Sequence, residues 1–215
     1  MTPFLLLLSS PSGGGKTTVA KALVVAREDL EFSVSATTRS PREGEKDGVD
    51  YYFLSADEFV RRRDAGDFLE WAEYGDALYG TLYEEVDRVI GHGRHLILDI
   101  EVQGARQVRQ HRDDVVSVFI LPPSAETLVK RLVGRDDSMS PGKLRQRLLR
   151  AVEEVDEALD YDYVLVNEDR TQVVSEVVAI IDSESRRSDR NASLQEDLDQ
   201  LRHDLAAVAD EQASD

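Results

Sequence analysis

Four nearly continuous apolar runs of strand length recur along the chain, at residues 4–8, 95–100, 115–121 and 163–167. Segments with apolar residues at helical spacing lie between and after them, at residues 16–28, 102–111, 124–133 and 170–182. Runs that are apolar at successive positions are typical of strands buried on both faces. Their alternation with helices predicts right-handed crossovers. The pattern therefore predicts an α/β protein with a parallel sheet core and helices on both faces.

Two segments break this alternation. Between residues 32 and 83, short strand-like runs at 32–35, 51–54 and 69–74 accompany one helix, which a capping box at residues 55–58 begins. This pattern predicts a small mixed α+β insertion, mostly antiparallel. Residues 134–157 contain a polar loop and an arginine-rich helix, which predict a helical lid. We divide the first 181 residues into a core (1–33, 85–123 and 158–181), an insertion (34–84) and a lid (124–157).

Residues 182–215 form an acidic segment with ten acidic and four basic side chains, which we predict to be a C-terminal helical tail. An apolar stripe with alternating spacings of four and three runs along it: Leu194, Leu198, Leu201, Leu205 and Val208. We expect this helix to lie on its own core or to fray in solvent. A dimerising coiled coil is the alternative, although two heptads are fewer than stable coiled coils usually need.

Composition and charge exclude several classes of protein. The chain has 215 residues, 41% of them hydrophobic, which predicts one globular core with insertions. It contains no cysteine, which excludes disulfide scaffolds, thiolate metal sites and a cysteine nucleophile. A net charge of −17 disfavours general binding to nucleic acid or to anionic membranes. The apolar run at residues 4–8 is too short for a signal peptide or a membrane span, so we expect a cytoplasmic protein.

The strongest chemical signal is a glycine-rich segment between the first strand and the first helix, which we call the P-loop. Its residues are Ser10, Pro11, Ser12, Gly13, Gly14, Gly15, Lys16 and Thr17. Small residues allow successive N–H groups to surround phosphate oxygens, and the helix N-terminus adds partial positive charge. Lys16 would reach the β- and γ-phosphates, and the Thr17 hydroxyl would bind Mg²⁺. The strict pattern begins with glycine, and Ser10 departs from it.

A second carboxylate is needed to hold the metal, and Asp99 lies at the end of a predicted strand, where it should be found. Glu101 follows two residues later and points to the same side of an extended chain. A GTPase would carry Asn-Lys-x-Asp after a late strand, whereas residues 166–169 read Val-Asn-Glu-Asp. We therefore expect a phosphotransferase that uses Mg²⁺ as its cofactor.

Further motifs follow in a fixed order. They are Phe-Ser-Val-Ser-Ala-Thr-Thr-Arg-Ser-Pro-Arg-Glu-Gly-Glu at 32–45, Asp-Tyr-Tyr-Phe at 50–53, Phe-Leu-Glu-Trp-Ala at 68–72, Tyr-Gly-Thr at 79–81, Leu-Asp-Ile-Glu-Val-Gln-Gly at 98–104 and Val-Leu-Val-Asn at 164–167. With these motifs the chain resembles the guanylate kinase family from about residue 4 to residue 181. The resemblance implies transfer of the γ-phosphoryl group of ATP to GMP, and to dGMP, in guanine nucleotide synthesis and recycling.

The resemblance also implies that residues 34–84 are the GMP-binding region. The implied GMP-binding residues are Ser35, Arg39, Arg42, Glu45, Tyr51, Glu70, Tyr79, Thr81, Asp99 and Glu101. Guanidinium forks suit the acceptor phosphate. A carboxylate at position 70 would accept hydrogen bonds from N1–H and the 2-amino group of guanine, and the Ser35 hydroxyl would donate to O6. Thr81 stands where the family often has Ser, and Glu101 where it often has Asp.

By the same resemblance, residues 124–157 include a lid over ATP. The implied catalytic residues are Lys16, Arg39, Arg42, Arg131, Arg135 and Arg147, the last three on the lid. The implied ATP site adds Thr18 and, near the adenine ring, Asn167 to the P-loop. The loop at residues 136–142 has one residue more than the pattern, so Arg147 matches less directly than Arg135.

Two other functions fit parts of the pattern. Some guanylate-kinase-like domains keep the fold and the GMP-side residues as a peptide-binding surface but lose the P-loop, which this chain retains. A related kinase would act on another monophosphate or on a sugar phosphate, against which Glu70 and Ser35 argue. The expected partners are ATP and GMP, without nucleic acid or membrane. The chain is expected to be a monomer, or a homodimer aided by the tail helix.

Overall fold

The computed structural model describes residues 2–134 and 139–212, the last three of them as backbone only. In chain order, its strands are β1 (Leu5–Ser9), β2 (Leu30–Phe32), β3 (Ala36–Thr37), β4 (Tyr52–Phe53), β5 (Phe68–Tyr74), β6 (Ala77–Leu82), β7 (His95–Asp99), β8 (Val115–Leu121) and β9 (Tyr163–Val166). The α-helices are α1 (Lys16–Ala26), α2 (Ala56–Asp64), α3 (Tyr83–Gly91), α4 (Val102–His111), α5 (Ala125–Val133), α6 (Pro141–Asp156), α7 (Arg170–Glu184) and α8 (Leu194–Gln212). Short 3₁₀ turns follow α6, at Glu157–Asp160, and α7, at Ser188–Arg190.

The main sheet has the strand order β2-β7-β1-β8-β9, and all neighbouring strands are parallel. Along β1 the side chains alternate between two cores. Leu6 and Leu8 pack with α1 and α7 on one face, and Leu5 and Leu7 pack with α3 and α4 on the other. The predicted parallel sheet with helices on both faces is confirmed. Because parallel strands end at one edge, the loops after β1 and β7 lie side by side there.

The insertion forms a second sheet, of order β4-β3-β6-β5, with one parallel and two antiparallel pairs. Phe59 of α2 packs with Phe68 and Leu82 beneath it. The predicted strand at 32–35 is wrong: β2 of the main sheet ends at Phe32, β3 of the small sheet begins at Ala36, and the chain leaves the main sheet after Ser33. There the N–H of Val34 donates to the buried carboxylate of Glu85 at 3.0 Å rather than to a neighbouring strand.

The lid consists of α5 and α6, which pack through Leu128, Leu132 and Ala151. Side chains cap both helices at their N-termini: the Ser124 hydroxyl accepts the N–H of Thr127 at 3.1 Å, and Ser140 caps α6 in the same manner. Arg135 and residues 136–138 of the predicted lid loop lie outside the described residues.

The apolar stripe of the tail helix does not lie on the core. Leu201 and Leu205 on α8 are 54% and 60% exposed. Of the two placements expected for this helix, on the core or in solvent, the structure has the second, and the dimerising coiled coil stays a prediction. Within residues 2–134 and 139–212, no helix is both long and apolar enough to cross a membrane.

The expected boundary between residues 181 and 182 falls inside α7, and residues up to 190 belong to the core. Arg190 is 9% exposed, pairs with the Glu184 carboxylate and lies 4.7 Å from the ring centroid of Phe4. The Thr2 N–H donates to the carbonyl of Arg190 at 3.0 Å. The exposed tail therefore begins after this buried arginine.

Truncation at two positions tests this boundary. A chain that ends at Ser185 lacks Arg187 and Arg190 and leaves Glu184 without a cationic partner, although the Tyr163 hydroxyl still donates to it. We therefore expect it to lose about 3 kcal/mol of unfolding free energy. A chain that ends at Ala192 keeps the pair and should unfold like the full chain. Urea unfolding of the two truncated chains measures the difference, and equal stability would contradict the boundary.

Candidate active site

The P-loop connects β1 to α1 and leaves backbone donors free at the helix N-terminus. Gly13 and Gly15 have φ angles of 92° and 103°, which favour glycine. Gly15 is the N-cap of α1, and no side chain in the described part of the chain caps this helix, whereas serine or aspartate side chains cap α2, α5, α6 and α7. The amides of Lys16 and Thr17, at the start of α1, donate to no group among the described residues and are thus available to an anion.

Ser10, where the strict pattern has glycine, packs inside the loop. It is 2% exposed, and its hydroxyl lies 3.1 Å from the carbonyl of Pro11, to which it donates. A Cβ at Gly14 would lie 2.7 Å from the Ser10 Cβ. The serine is accommodated because residue 14 is a glycine.

Lys16 lies between the P-loop and two carboxylates at the end of β7. Its Nζ donates to Glu101 Oε1 at 2.6 Å and lies 3.7 Å from Asp99 Oδ1. Burial acts to lower the pKa of the ammonium, but these carboxylates outweigh it and hold the pKa above its usual value. Asp99 Oδ1 and Glu101 Oε2 are buried and have no hydrogen-bond partner among the described residues. Two acceptor atoms therefore remain for a cation or a donor.

A cavity of about 360 Å³ opens between the small sheet and these residues, and we call it the acceptor cavity. Its polar lining is Lys16, Thr17, Ser35, Arg42, Tyr51, Glu70, Tyr74, Tyr79, Asp99 and Glu101. The fold thus brings seven of the ten predicted GMP-binding residues to one cavity. The other three, Arg39, Glu45 and Thr81, contact members of this set from outside.

Glu70 is the buried carboxylate of the acceptor cavity. It is 4% exposed, and its Oε1 accepts a hydrogen bond from the Thr81 hydroxyl at 2.7 Å. Burial raises its pKa from 4.5 to about 7, against the opposing effects of the Thr81 hydrogen bonds and of Lys16. A Cβ at Gly104 of α4 would lie 2.3 Å from Glu70 Oε2. Thr81 and Gly104 therefore fix this carboxylate from two sides.

Arg39 and Glu45 form a bidentate pair beside the cavity. Both guanidinium Nη atoms donate to the carboxylate at 2.9 Å, and the Arg42 N–H donates to it at 2.7 Å. The hydrogen bonds from Arg39 lower the pKa of Glu45 to about 2. The Arg39 guanidinium also lies 5.1 Å from the ring centroid of Tyr51. Glu45 thus orients the Arg39 side chain and holds the backbone at Arg42.

A second cavity, of about 410 Å³, lies on the other side of the P-loop, and we call it the donor cavity. Gly13, Gly15, Thr18, Arg131 and Asn167 are among its lining residues. Arg131 Nη1 and Asn167 Nδ2 each donate to the carbonyl of Gly14 at 3.0 Å. Both side chains therefore hold the loop itself. Arg147 is half-buried on α6.

Besides Tyr74, which lines the acceptor cavity, sequence analysis missed two residues that support the site, Gly104 and Glu154. Gly104 had a signal, because glycine inside a helix is unfavourable unless another group approaches closely. Glu154 had none: it follows Ala151 by three residues on a helix rich in charge, and nothing local distinguishes it from its exposed neighbours. It is 5% exposed, and its Oε2 accepts the N–H of Ser12 at 3.1 Å.

One cavity lies on either side of the P-loop: Arg131 of the lid lines the first, and an arginine, tyrosines and a buried carboxylate line the second. This arrangement is that of a P-loop kinase of the nucleoside monophosphate class. Comparison with known proteins gives the family. The profile of the guanylate kinase family matches residues 3–184, and the chain belongs to this family. Members of the family transfer the γ-phosphoryl group of ATP to GMP.

The chain is also similar to individual guanylate kinases. The chain is 47% identical to guanylate kinase of Symbiobacterium thermophilum over 189 residues, which cover 88% of this chain and 89% of the relative. It is 43% identical to that of a Chelativorans species, over 89% of this chain and 88% of the relative. The crystal structure of guanylate kinase from Anaplasma phagocytophilum superposes with a TM-score of 0.72 at 35% identity, covering 91% of this chain and 93% of that one.

Proposed function

We propose that this chain transfers the γ-phosphoryl group of ATP to GMP, and to dGMP, with GMP in the acceptor cavity and ATP in the donor cavity. The observation that carries the proposal is the position of Lys16, which lies on the P-loop between the two cavities. A phosphoryl group on the P-loop would thus be within reach of an acceptor bound beside Glu70. The cytoplasmic location and the monomeric or dimeric state stay predictions.

In the acceptor cavity, the residues supply the groups that a guanine nucleotide requires. The Glu70 carboxylate accepts from two donors on one edge of the base, which adenine does not present. Arg42 and Tyr51 line the same cavity, and Arg39 lies against Tyr51. Guanidinium and phenol donors there suit the doubly charged phosphate of a monophosphate.

The residues present fit Mg²⁺. Thr17 is exposed at the N-terminus of α1, and Asp99 has a buried oxygen without a hydrogen-bond partner among the described residues. Mg²⁺ prefers such hard oxygen ligands and usually reaches proteins through one or two of them together with phosphate. Thr17 and Asp99 would hold the ion. When bound, it would neutralise charge on the phosphate oxygens.

The chain's own contribution to the transfer is positioning and charge compensation. The acceptor is already a phosphate oxyanion, so no general base is required. Lys16 would exchange its pairing with Glu101 for the phosphates, and the free amides of α1 would bind phosphate oxygens. Arginines from the insertion and the lid would stabilise the negative charge that develops in transfer. Closure of both regions would exclude water, which would otherwise accept the phosphoryl group.

A coupled assay that detects ADP tests this function. The purified chain is offered each nucleoside monophosphate and several sugar phosphates in turn, with ATP and Mg²⁺. We expect turnover with GMP and dGMP at least 100-fold faster than with AMP, in line with the discrimination available to a buried hydrogen-bonding site. Faster turnover of another acceptor would favour the related-kinase alternative, and no turnover at all would favour the binding module.

Substitution of Gly104 by alanine tests how Glu70 is positioned. The new methyl group would occupy the place of Glu70 Oε2 and displace the carboxylate. We expect KM for GMP to rise about tenfold, because a charge-assisted hydrogen bond is lost, while KM for ATP is unchanged. Gly91→Ala is the matched control, since a Cβ there meets no atom within 4 Å. Equal KM values for GMP in the two variants would contradict the positioning.

A further inference from the structure

Glu154 is a buried carboxylate on the lid that neither cavity requires. Only Ala151 and Glu154 are buried on α6. A carboxylate in such a position is unfavourable unless it has a partner. Its partner is the N–H of Ser12 in the P-loop, 142 positions away in sequence. The hydrogen bond therefore connects the lid helix directly to the phosphate loop.

The charged groups around Glu154 do not by themselves explain a carboxylate at this position. Lys16 and Arg150 attract its charge, whereas Glu101 repels it. Burial is the main reason that its pKa is raised. A nearby carboxylate disfavours the binding of an anion such as ATP, so charge alone gives no reason for Glu154 at this position. What Glu154 contributes is a carboxylate oxygen that accepts the hydrogen bond of the Ser12 N–H.

Side chains from the lid and from the segment after β9 both form hydrogen bonds with the P-loop backbone. Glu154 of α6 accepts the Ser12 N–H, while Arg131 of α5 and Asn167 after β9 donate to the Gly14 carbonyl. These hydrogen bonds to the P-loop reach only backbone groups that precede α1. The N–H groups of Lys16 and Thr17, which suit phosphate, donate to no group among the described residues.

The C-terminal end of α6 is fixed to the core by other contacts. Arg106 of α4 forms an ion pair with Glu157, and Arg109 donates to the carbonyl of Asp160 at 3.0 Å. Glu154 lies within one turn of this attachment. It therefore contacts the P-loop from the part of the lid that is held in place.

We propose that Glu154 is a positioning residue for ATP: its hydrogen bond to the Ser12 amide holds the P-loop in the conformation that binds phosphate and couples the loop to the lid helix. The proposal rests on the proposed function, because it assigns ATP to the P-loop. Glu154 does not touch the nucleotide. It acts through the loop, and its contribution belongs to ATP binding rather than to GMP binding.

Three variants separate the hydrogen bond from charge and from general stability. Glu154→Ala removes the acceptor, and Glu154→Gln keeps an acceptor oxygen and removes only the charge. Glu153→Ala, next along the helix and exposed, is the control for loss of a carboxylate on α6. Hydrogen–deuterium exchange of the peptide that contains residues 10–17 measures the loop without nucleotide. Calorimetry with ATP and the KM values for both substrates measure binding.

For Glu154→Ala, we expect faster exchange of the P-loop peptide and about tenfold weaker ATP binding, with KM for GMP within twofold of the unsubstituted chain. Glu154→Gln should keep slow exchange and ATP binding within about threefold of the unsubstituted chain. Glu153→Ala should match the unsubstituted chain in all measurements.

Two results would overturn the proposal. One is a Glu154→Ala protein that unfolds at lower temperature but keeps P-loop exchange and ATP affinity, which is the behaviour of a merely structural residue. The other is Glu154→Gln as defective as Glu154→Ala, which would mean that the charge and not the hydrogen bond matters. Absence of GMP turnover in the unsubstituted chain would overturn the proposed function instead, because loop exchange and ATP calorimetry do not depend on the acceptor.

Discussion

Lys16→Ala is expected to reduce kcat by about 10²–10³-fold while the protein remains folded. The ammonium is the cation that lies between the two cavities, and removal of one preorganised charge from a transition-state site has effects of this size. Its loss also leaves Asp99 and Glu101 without their cationic partner, so the same site becomes more repulsive to phosphate. Both effects act in the same direction on phosphoryl transfer.

Lys21→Ala is the matched control for Lys16→Ala. Lys21 belongs to the same helix but is exposed, so its substitution removes the same net charge without changing the site. Steady-state kinetics with ATP and GMP and a thermal unfolding curve are measured for both variants. If Lys16→Ala keeps kcat within tenfold of the Lys21→Ala protein, the assignment of Lys16 to the transferring phosphate is wrong.

Four of the five strands of the main sheet could be predicted because their signal is local. Each residue of β1 is buried on one face or the other, so the strand is apolar at four of its five positions and ends abruptly at the P-loop. The P-loop was equally evident, since its glycines are adjacent in sequence and the conformation needs them together. Patterns of this kind contain all the information within about ten residues.

The small sheet could be predicted only in part. Its strands β3 and β4 have two residues each, too short for any alternation of polar and apolar positions to be read. Strand β6 includes Gly80, which favours a loop on propensity. The glycine is needed there because a Cβ would lie 2.7 Å from the carbonyl of Glu70 on the neighbouring strand. The helix α3, which follows at once, was missed for lack of a turn signal before it.

For the candidate site, sequence analysis named polar residues that the fold brings together, but it did not show which of them support the others. Glu70 belongs to a specific motif, but its environment depends on Thr81 and Gly104, which approach it from two other elements. Arg131 and Asn167 were expected at phosphates and adenine, and the fold places both on the Gly14 carbonyl. Whether they also reach ATP stays a prediction. Contacts between distant segments, such as that of Glu154 with Ser12, have no counterpart in a local pattern.

The pKa of Glu70 predicts a pH dependence of GMP binding. With a pKa of about 7 in the free protein, the carboxylate is half ionised at pH 7 and mostly protonated at pH 6. Only the ionised form accepts hydrogen bonds from both guanine donors. The apparent affinity for GMP should therefore fall about fivefold between pH 7 and pH 6, in proportion to the ionised fraction. Calorimetry at several pH values measures it, and GMP binding should release protons near pH 7.

The raised pKa of Glu70 has the opposite effect on folding: GMP affinity increases with pH, whereas the stability of the folded chain decreases. The folded-state pKa of Glu70 lies above its ordinary value of 4.5, so the folded chain is disfavoured as pH rises through this interval. The full penalty, of about 3 kcal/mol, applies above pH 7 and disappears below pH 4.5. The ionised Glu70 carboxylate thus lowers the stability of the free protein, which is typical of a group that binds a ligand.

Glu70→Gln should separate the two effects. The amide presents an NH₂ donor where the guanine edge also donates, so we expect KM for GMP to rise by about 10²-fold or more, with KM for ATP within twofold. At pH 8 the free variant should be more stable than the unsubstituted chain, and its weak GMP binding should no longer depend on pH between 6 and 8. Glu73→Gln is the control, because Glu73 lies on the same strand and is exposed. A Glu70→Gln protein that keeps its affinity for GMP, or that is less stable than the Glu73→Gln protein at pH 8, would show that the buried carboxylate serves the fold and not the guanine base.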